Sequence, residues 1–275
     1  MNNLLIRGLS GTVFVVIVIG SFLWGPRATS ILLGIFMFMG LLEFYNLFSS
    51  QTIGNSQKIY MAVFGVVMYT TVVWLTSFDG SMNRLKYGLP LLMFPFLQLL
   101  FSSLKEPVKG IAIQYLGFVY VVIPFIFMQQ LYGFSIEGDW VYIIGLFVIV
   151  WTNDTFAYLT GRAFGKWKLF EKVSPNKTWE GTLGGLFCAV LAAIIYGYFQ
   201  SGSILFWAIS GGIIAPFAVL GDLVESKLKR TTGVKDTGAL MPGHGGVLDR
   251  FDAVMFATPF FYYWLFLASG PLNFL

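Results

Sequence analysis

Apolar residues along this chain come in long runs rather than in alternation, and polar residues are confined to the intervals between them. Nine such runs can be marked, at about residues 8–24, 30–48, 59–77, 88–103, 111–133, 140–160, 181–200, 204–222 and 251–269. A run of about 20 apolar residues, rising 1.5 Å per residue, crosses a hydrocarbon layer about 30 Å thick. The pattern predicts an all-α fold, a polytopic transmembrane helical bundle of about nine spans. Breaks are expected in the fourth run, at Pro90 and Pro95, and in the eighth, at Gly211, Gly212 and Pro216.

Composition agrees with that pattern. The chain is 57% hydrophobic and 11% charged, whereas a soluble domain carries about 25% charge. Its one cysteine, Cys188, lies inside an apolar run, which excludes an intrachain disulfide and a cysteine metal site. The net charge of +4 calls for no nucleic-acid partner, because the basic residues sit in loops between spans. With nine spans, 14 Lys and Arg fall on one side of the membrane and 3 on the other. The positive-inside rule then puts the N-terminus and the loops 161–180 and 223–250 in the cytoplasm, and the C-terminus outside. No small-x-small cleavage site follows the first run, which reads as an uncleaved span. The expected division is N-terminal transmembrane helices over 1–135 and a C-terminal catalytic region over 136–275.

Three carboxylates interrupt apolar runs: Glu43, Asp154 and Asp222. Asp154 follows Trp140 by 14 residues, about 21 Å of helix, which places it in the cytoplasmic half of the layer. An ionisable group there is costly and is by default a functional residue. In "GDLVESKLKR", Asp222, Glu225, Ser226 and Lys229 form one polar stripe if the helix continues. Asp154 likewise shares a face with Tyr158. Acids beside many cations point to metal ions holding phosphates.

Two loops add to that expectation. "GKWKLFEKVSPNKTWEG" leads into the seventh run, where a helix N-terminus attracts phosphate and Pro175 suits the first turn. Ser174, Asn176, Lys177 and Thr178 add donors there. "KDTGALMPGHGGVLDRFD", residues 235–252, holds the chain's single histidine. Gly243, Gly245 and Gly246 permit close backbone approach to a ligand. Lys235, His244 and Arg250 can donate to oxyanions, while Asp236, Asp249 and Asp252 offer hard oxygen ligands suited to Mg²⁺. None of GxxxxGK[ST], HExxH or GxSxG is present.

The stretch "SKLKRTTGVKDTGALMPGHGGVLDRFD", Ser226 to Asp252, resembles the signature of phosphatidate cytidylyltransferases. Met241 departs from that family's usual Leu, Ile or Phe. "NDTFAYLTGRAFGK" and "SPNKTWEGTLGG" resemble the family's upstream segments, so the likeness covers about residues 150–255. It implies transfer of a cytidylyl group from CTP to phosphatidic acid, with Mg²⁺ and the option of a second cation. Carried over by position, Asp222 and Asp249 become metal carboxylates. Lys177, Lys229, Arg230, Lys235 and Arg250 become phosphate-binding cations, and Asp236 and His244 further catalytic members. Asp154, Ser174, Asn176, Glu225, Ser226, Gly245 and Gly246 complete the expected substrate-binding set. The expected location is a bacterial inner (cell) membrane, with the site facing the cytoplasm and a homodimer as an option.

Two other functions fit some of these residues. A CTP-dependent lipid kinase would use His244 or Asp236 as a base to deprotonate a lipid hydroxyl. A cation transporter would explain acids in the membrane and broken spans. It would not explain ten Lys and Arg in two loops on one side.

Overall fold

The computed structural model describes residues 3–48, 53–76, 89–101, 106–134, 140–200, 202–238 and 245–270. Its α-helices are α1 (Asn3–Trp24), α2 (Pro26–Leu47), α3 (Asn55–Thr76), α4 (Phe94–Phe101), α5 (Pro107–Gly117), α6 (Ile123–Gln130), α7 (Val141–Phe164), α8 (Trp179–Phe199), α9 (Ile204–Thr231) and α10 (Leu248–Ser269). Strands β1 (Lys168–Phe170) and β2 (Ser174–Thr178) form one antiparallel hairpin between α7 and α8.

Among the described residues, seven helical segments are long and apolar enough to cross a membrane. This is an integral membrane protein with an all-α polytopic architecture. The fifth predicted run is one 24-residue span, Pro107–Gln130, in which a π-helical turn over Phe118–Val122 joins α5 to α6. Two helical pieces are described within the fourth run. A 3-10 turn at Leu89–Met93 gives way to the eight residues of α4, about 12 Å of helix. Pro90 and Pro95 lack the N–H groups that a continuous ladder through this run would need. Helix α1 is 22 residues long, and its described apolar stretch is Ser10–Trp24.

The eighth run is not broken where expected. Helix α9 passes through Gly211, Gly212 and Pro216 without ending and runs for 28 residues. That is about 42 Å, roughly two turns more than the hydrocarbon layer requires. Pro216 costs one hydrogen bond, to the carbonyl of Gly212, a loss that packed membrane helices tolerate. The surplus length is the polar end that carries Asp222 to Thr231.

The chain divides into two compact units. The first comprises Met1–Gln130 and Asp236–Arg250. Its buried core includes Phe22, Leu33, Met37, Leu41 and Phe44 from α1 and α2, Met61 from α3, and Val122 and Phe125 from the α5–α6 span.

The second unit comprises Leu131–Lys235 and Phe251–Leu275. Here α8 buries Gly181, Gly185, Ala189, Ala193 and Gly197, one small residue every fourth position. Leu183, Phe187, Leu191 and Ile195 lie on exposed positions of the same helix. This inverts the pattern of a soluble helix. Lipid is as apolar as leucine, so large side chains gain nothing by turning inward, whereas small ones let backbones touch. A Cβ on Gly185 would lie 2.7 Å from the Asn153 carbonyl of α7, and one on Gly211 of α9 would lie 2.8 Å from the Val190 Cα. Toward the other end, the buried Trp207 packs edge-on to Tyr196 and Phe206. Trp264 donates from Nε1 to Ser210 Oγ (3.0 Å).

The α7–α8 contact makes a prediction. Gly185→Leu should lower thermal stability in detergent by about 1–3 kcal/mol or more, as overpacked sites do. Phe187→Leu, on a position 64% exposed, should stay close to the parent. Equal melting temperatures for the parent and Gly185→Leu would contradict the close backbone approach.

Candidate active site

The polar end of α9 is built as the helical period requires. Asp222, Glu225, Ser226 and Lys229 share one face, and their side chains bond along it. Ser226 Oγ donates to Asp222 Oδ1 (3.2 Å), and Lys229 Nζ donates to Glu225 Oε2 (2.7 Å). Asp222 Oδ2 is also paired, 2.5 Å from Nζ of Lys177 on β2. Glu225 is almost fully buried, at 1% exposure, while Asp222 is half-buried.

Asp252 of α10 joins them. Carboxylate oxygens of Asp222, Glu225 and Asp252 all lie within 4.8 Å of one another. Close packing brings these helices together, because a Cβ on Gly221 would meet the Asp252 carbonyl at 2.6 Å. Asp154, on α7, interacts electrostatically with Lys177 and Asp222 and accepts from Asn153 Nδ2 (3.3 Å). With Asp154, four carboxyl groups share this region with the paired Lys177 and Lys229. Hard oxygen donors in that number and sign suit Mg²⁺ rather than a thiophilic metal.

Lys177 reaches this cluster by a route that differs from the expected one. Pro175 does not open a helix; Ser174–Thr178 is β2, and Lys168 pairs with Thr178 across the hairpin. Helix α8 starts only at Trp179, where Thr178 Oγ1 accepts from the N–H of Gly181 (3.2 Å). Glu180 accepts from the N–H groups of Lys166 and Trp167 (3.1 and 3.3 Å). Thr178 and Glu180, both side chains of the protein, thus cap α8 and tie down the turn before the hairpin. Ser174 is half-buried and Asn176 exposed on that hairpin.

Of the signature stretch Ser226–Asp252, Asp236–Arg250 belongs to the first unit and the rest to the second. Lys235, of the second unit, and Asp236, of the first, are exposed, as is Arg230 on α9. His244 and Gly243 lie outside the described residues. Asp249 Oδ2 accepts from the Thr237 N–H (3.0 Å), the Thr237 hydroxyl (2.9 Å) and the Gly246 N–H (2.8 Å). Gly245 takes φ 80°, a left-handed conformation that favours glycine and folds the backbone over Asp249. Glu43, on α2, accepts from the N–H groups of Val247 (3.0 Å) and Leu248 (2.9 Å). The expected metal carboxylates Asp222 and Asp249 therefore belong to different units. Glu225 and Asp252 are the partners that the structure brings to Asp222.

The sequence as a whole matches the profile of the Cytidylyltransferase family over residues 5–268. The chain belongs to this family. Its relatives include proteins named phosphatidate cytidylyltransferase from several bacteria. One from Staphylococcus aureus (strain COL) is 46% identical over 142 residues, 51% of this chain and 53% of its own. One from Haemophilus influenzae is 48% identical over 128 residues, 44% of each chain. One from Staphylococcus haemolyticus is 42% identical over 146 residues, 52% of this chain and 56% of its own. The chain thus spans about half the length of the curated relatives it matches.

The acidic cluster can be tested by metal binding alone. Wild-type protein titrated with Mn²⁺ should bind the ion, and Asp252→Asn should weaken binding by at least about tenfold, as loss of site groups does. Unchanged Mn²⁺ affinity in Asp252→Asn would remove that residue from the metal centre.

Proposed function

We propose that this protein transfers the cytidylyl group of CTP to phosphatidic acid, forming CDP-diacylglycerol and releasing pyrophosphate. The observation that carries this reading is the Asp222–Glu225–Asp252 cluster with its lysines, at the end of a membrane helix in a chain of this family. The names of the bacterial relatives support the substrates.

In that reaction an oxygen of the lipid phosphate attacks the α-phosphorus of CTP. The new P–O bond forms as the bond to the β-phosphate bridge breaks, and the electron pair leaves with pyrophosphate. A phosphate monoester has its second pKa near about 6, so the nucleophile is already ionised at neutral pH and needs no strong base. The difficulty is repulsion between anions. Lys177 and Lys229 provide fixed positive charge, and Asp222, Glu225 and Asp252 would hold Mg²⁺, which supplies further charge neutralisation when bound. Asp154 keeps a second carboxylate beside Lys177. The segment bearing Lys235, Asp236, His244, Asp249 and Arg250 is proposed to take part on the strength of its sequence resemblance.

The preponderance of Lys and Arg in loops 161–180 and 223–250 supports a cytoplasmic location for this chemistry, with the N-terminus on the same side. Bacterial relatives support a cell membrane as the site.

Purified protein with Mg²⁺, CTP and phosphatidic acid should release pyrophosphate and form CDP-diacylglycerol. Release of CDP with phosphorylation of a lipid alcohol would replace this reading with a kinase. Asp222→Asn should abolish turnover with the protein still folded in the membrane. Lys177→Arg should raise KM for CTP or depress kcat, because a planar guanidinium reaches a phosphate differently from a compact ammonium. Lys177→Ala should be worse. Wild-type kinetics in Lys177→Ala would take Lys177 out of the nucleotide site.

A further inference from the structure

We propose that Glu43 is the positioning residue of the signature segment, holding the start of α10 and, through Thr237, the carboxylate of Asp249. This rests on the reading above only in assigning that segment a part in turnover; the clamp itself stands on geometry. Glu43 lies in α2, 194 residues before Thr237 and 204 before Val247.

Each oxygen of Glu43 has its own work. Oε1 accepts from the N–H of Val247, and Oε2 accepts from the N–H of Leu248 and lies 3.2 Å from Thr237 Oγ1. The N–H of Leu248 opens α10 and that of Val247 immediately precedes it, at the helix end whose unpaired donors need acceptors that the helix cannot supply. A carboxylate there also meets the positive end of the helix dipole. The side chain is thus a helix cap delivered from a distant span.

Thr237 connects this cap to Asp249. Its hydroxyl is 2.9 Å from Asp249 Oδ2 and 3.2 Å from Glu43 Oε2, and its one proton serves the two carboxylates between them. Thr237 is buried, and its N–H also goes to Asp249. The loop backbone comes up close against these side chains. A Cβ on Gly238 would lie 2.5 Å from Glu43 Oε1, and a Cβ on Gly246 would strike Glu43 Oε2 and Thr237 Oγ1. Leu248 seats on Gly40, one turn before Glu43 on α2, with 3.3 Å to the position of a Cβ. Apolar contact and charged cap therefore fix the same turn.

The cap is specific to a carboxylate. Glutamine is nearly the same size but has one acceptor oxygen and a donor-only NH₂. Whichever way its amide turns, the N–H of Val247 or of Leu248 faces another donor. Aspartate keeps two acceptors but is one methylene shorter.

The test uses the full-length protein in detergent or bilayer. Hydrogen–deuterium exchange, which needs no turnover, should show faster exchange of the peptide containing Val247 and Leu248 in Glu43→Gln than in wild type, with peptides of α3 unchanged. In the same preparation kcat per folded molecule should fall about 10- to 100-fold, the range for losing a group that orients a site residue. KM for CTP should rise less than kcat falls, because Lys177 and Lys229 lie outside the clamped segment and only Arg250 of the expected cations lies in the turn that Glu43 holds. Glu43→Asp should recover part of kcat, and Glu43→Ala none. Unchanged exchange at Val247 and Leu248 would overturn the clamp. Faster exchange with unchanged kcat would overturn its role in positioning. If wild type makes no CDP-diacylglycerol, the proposed activity fails and exchange alone judges the clamp.

Discussion

A carboxylate near hydrocarbon is stable only where fixed donors replace the water it has lost, and this protein meets that demand in two ways. At the end of α9, ammonium groups do it: Lys177 pairs with Asp222, and Lys229 with Glu225. In the signature segment, backbone N–H groups do it, with Glu43 and Asp249 receiving those of Thr237, Gly246, Val247 and Leu248. Both solutions cost freedom. A donor held to a carboxylate is also a donor held in place, and pre-placed charge is what phosphate chemistry requires.

Packing serves the same end. The small-residue face of α8 brings α7 and α9 close enough for Asp154, Lys177 and Asp222 to interact. Larger residues on that face would separate the helices and their charges alike. The hairpin between α7 and α8 then carries Lys177 to Asp222 on a strand, with Thr178 capping the helix end behind it and Glu180 holding the turn at Lys166 and Trp167. Helix α9 is long enough to be apolar in its middle and chemical at its end. The proposed reaction, between a lipid phosphate and a soluble nucleotide, needs such a boundary.

How legible this was depends on the range of the interaction. The stripe of Asp222, Glu225, Ser226 and Lys229 could be read directly, since a helix puts residues three and four apart on one face. The hairpin was not legible, because Pro175 fits a first helical turn as well as it fits an exposed strand position, and only the pairing of Lys168 with Thr178 decides between them. The spacing of small residues along α8 is present in the sequence as Gly181, Gly185, Ala189, Ala193 and Gly197. Run length alone does not display it, because length is the same whether the apolar residues are large or small.

The sequence by itself determined that the protein is a helical membrane protein, that its polar chemistry lies in two loops and one helix end, and that these resemble a cytidylyltransferase. Those properties follow from local period, run length and residue type. Tertiary structure alone decided which acids stand together. Asp252 joins Asp222 and Glu225 because α9 and α10 meet at Gly221, and Glu43 reaches Val247 and Leu248 because α2 lies against the first turn of α10. No spacing along the chain encodes such distances, since they arise from how helices pack and not from the period within any one of them.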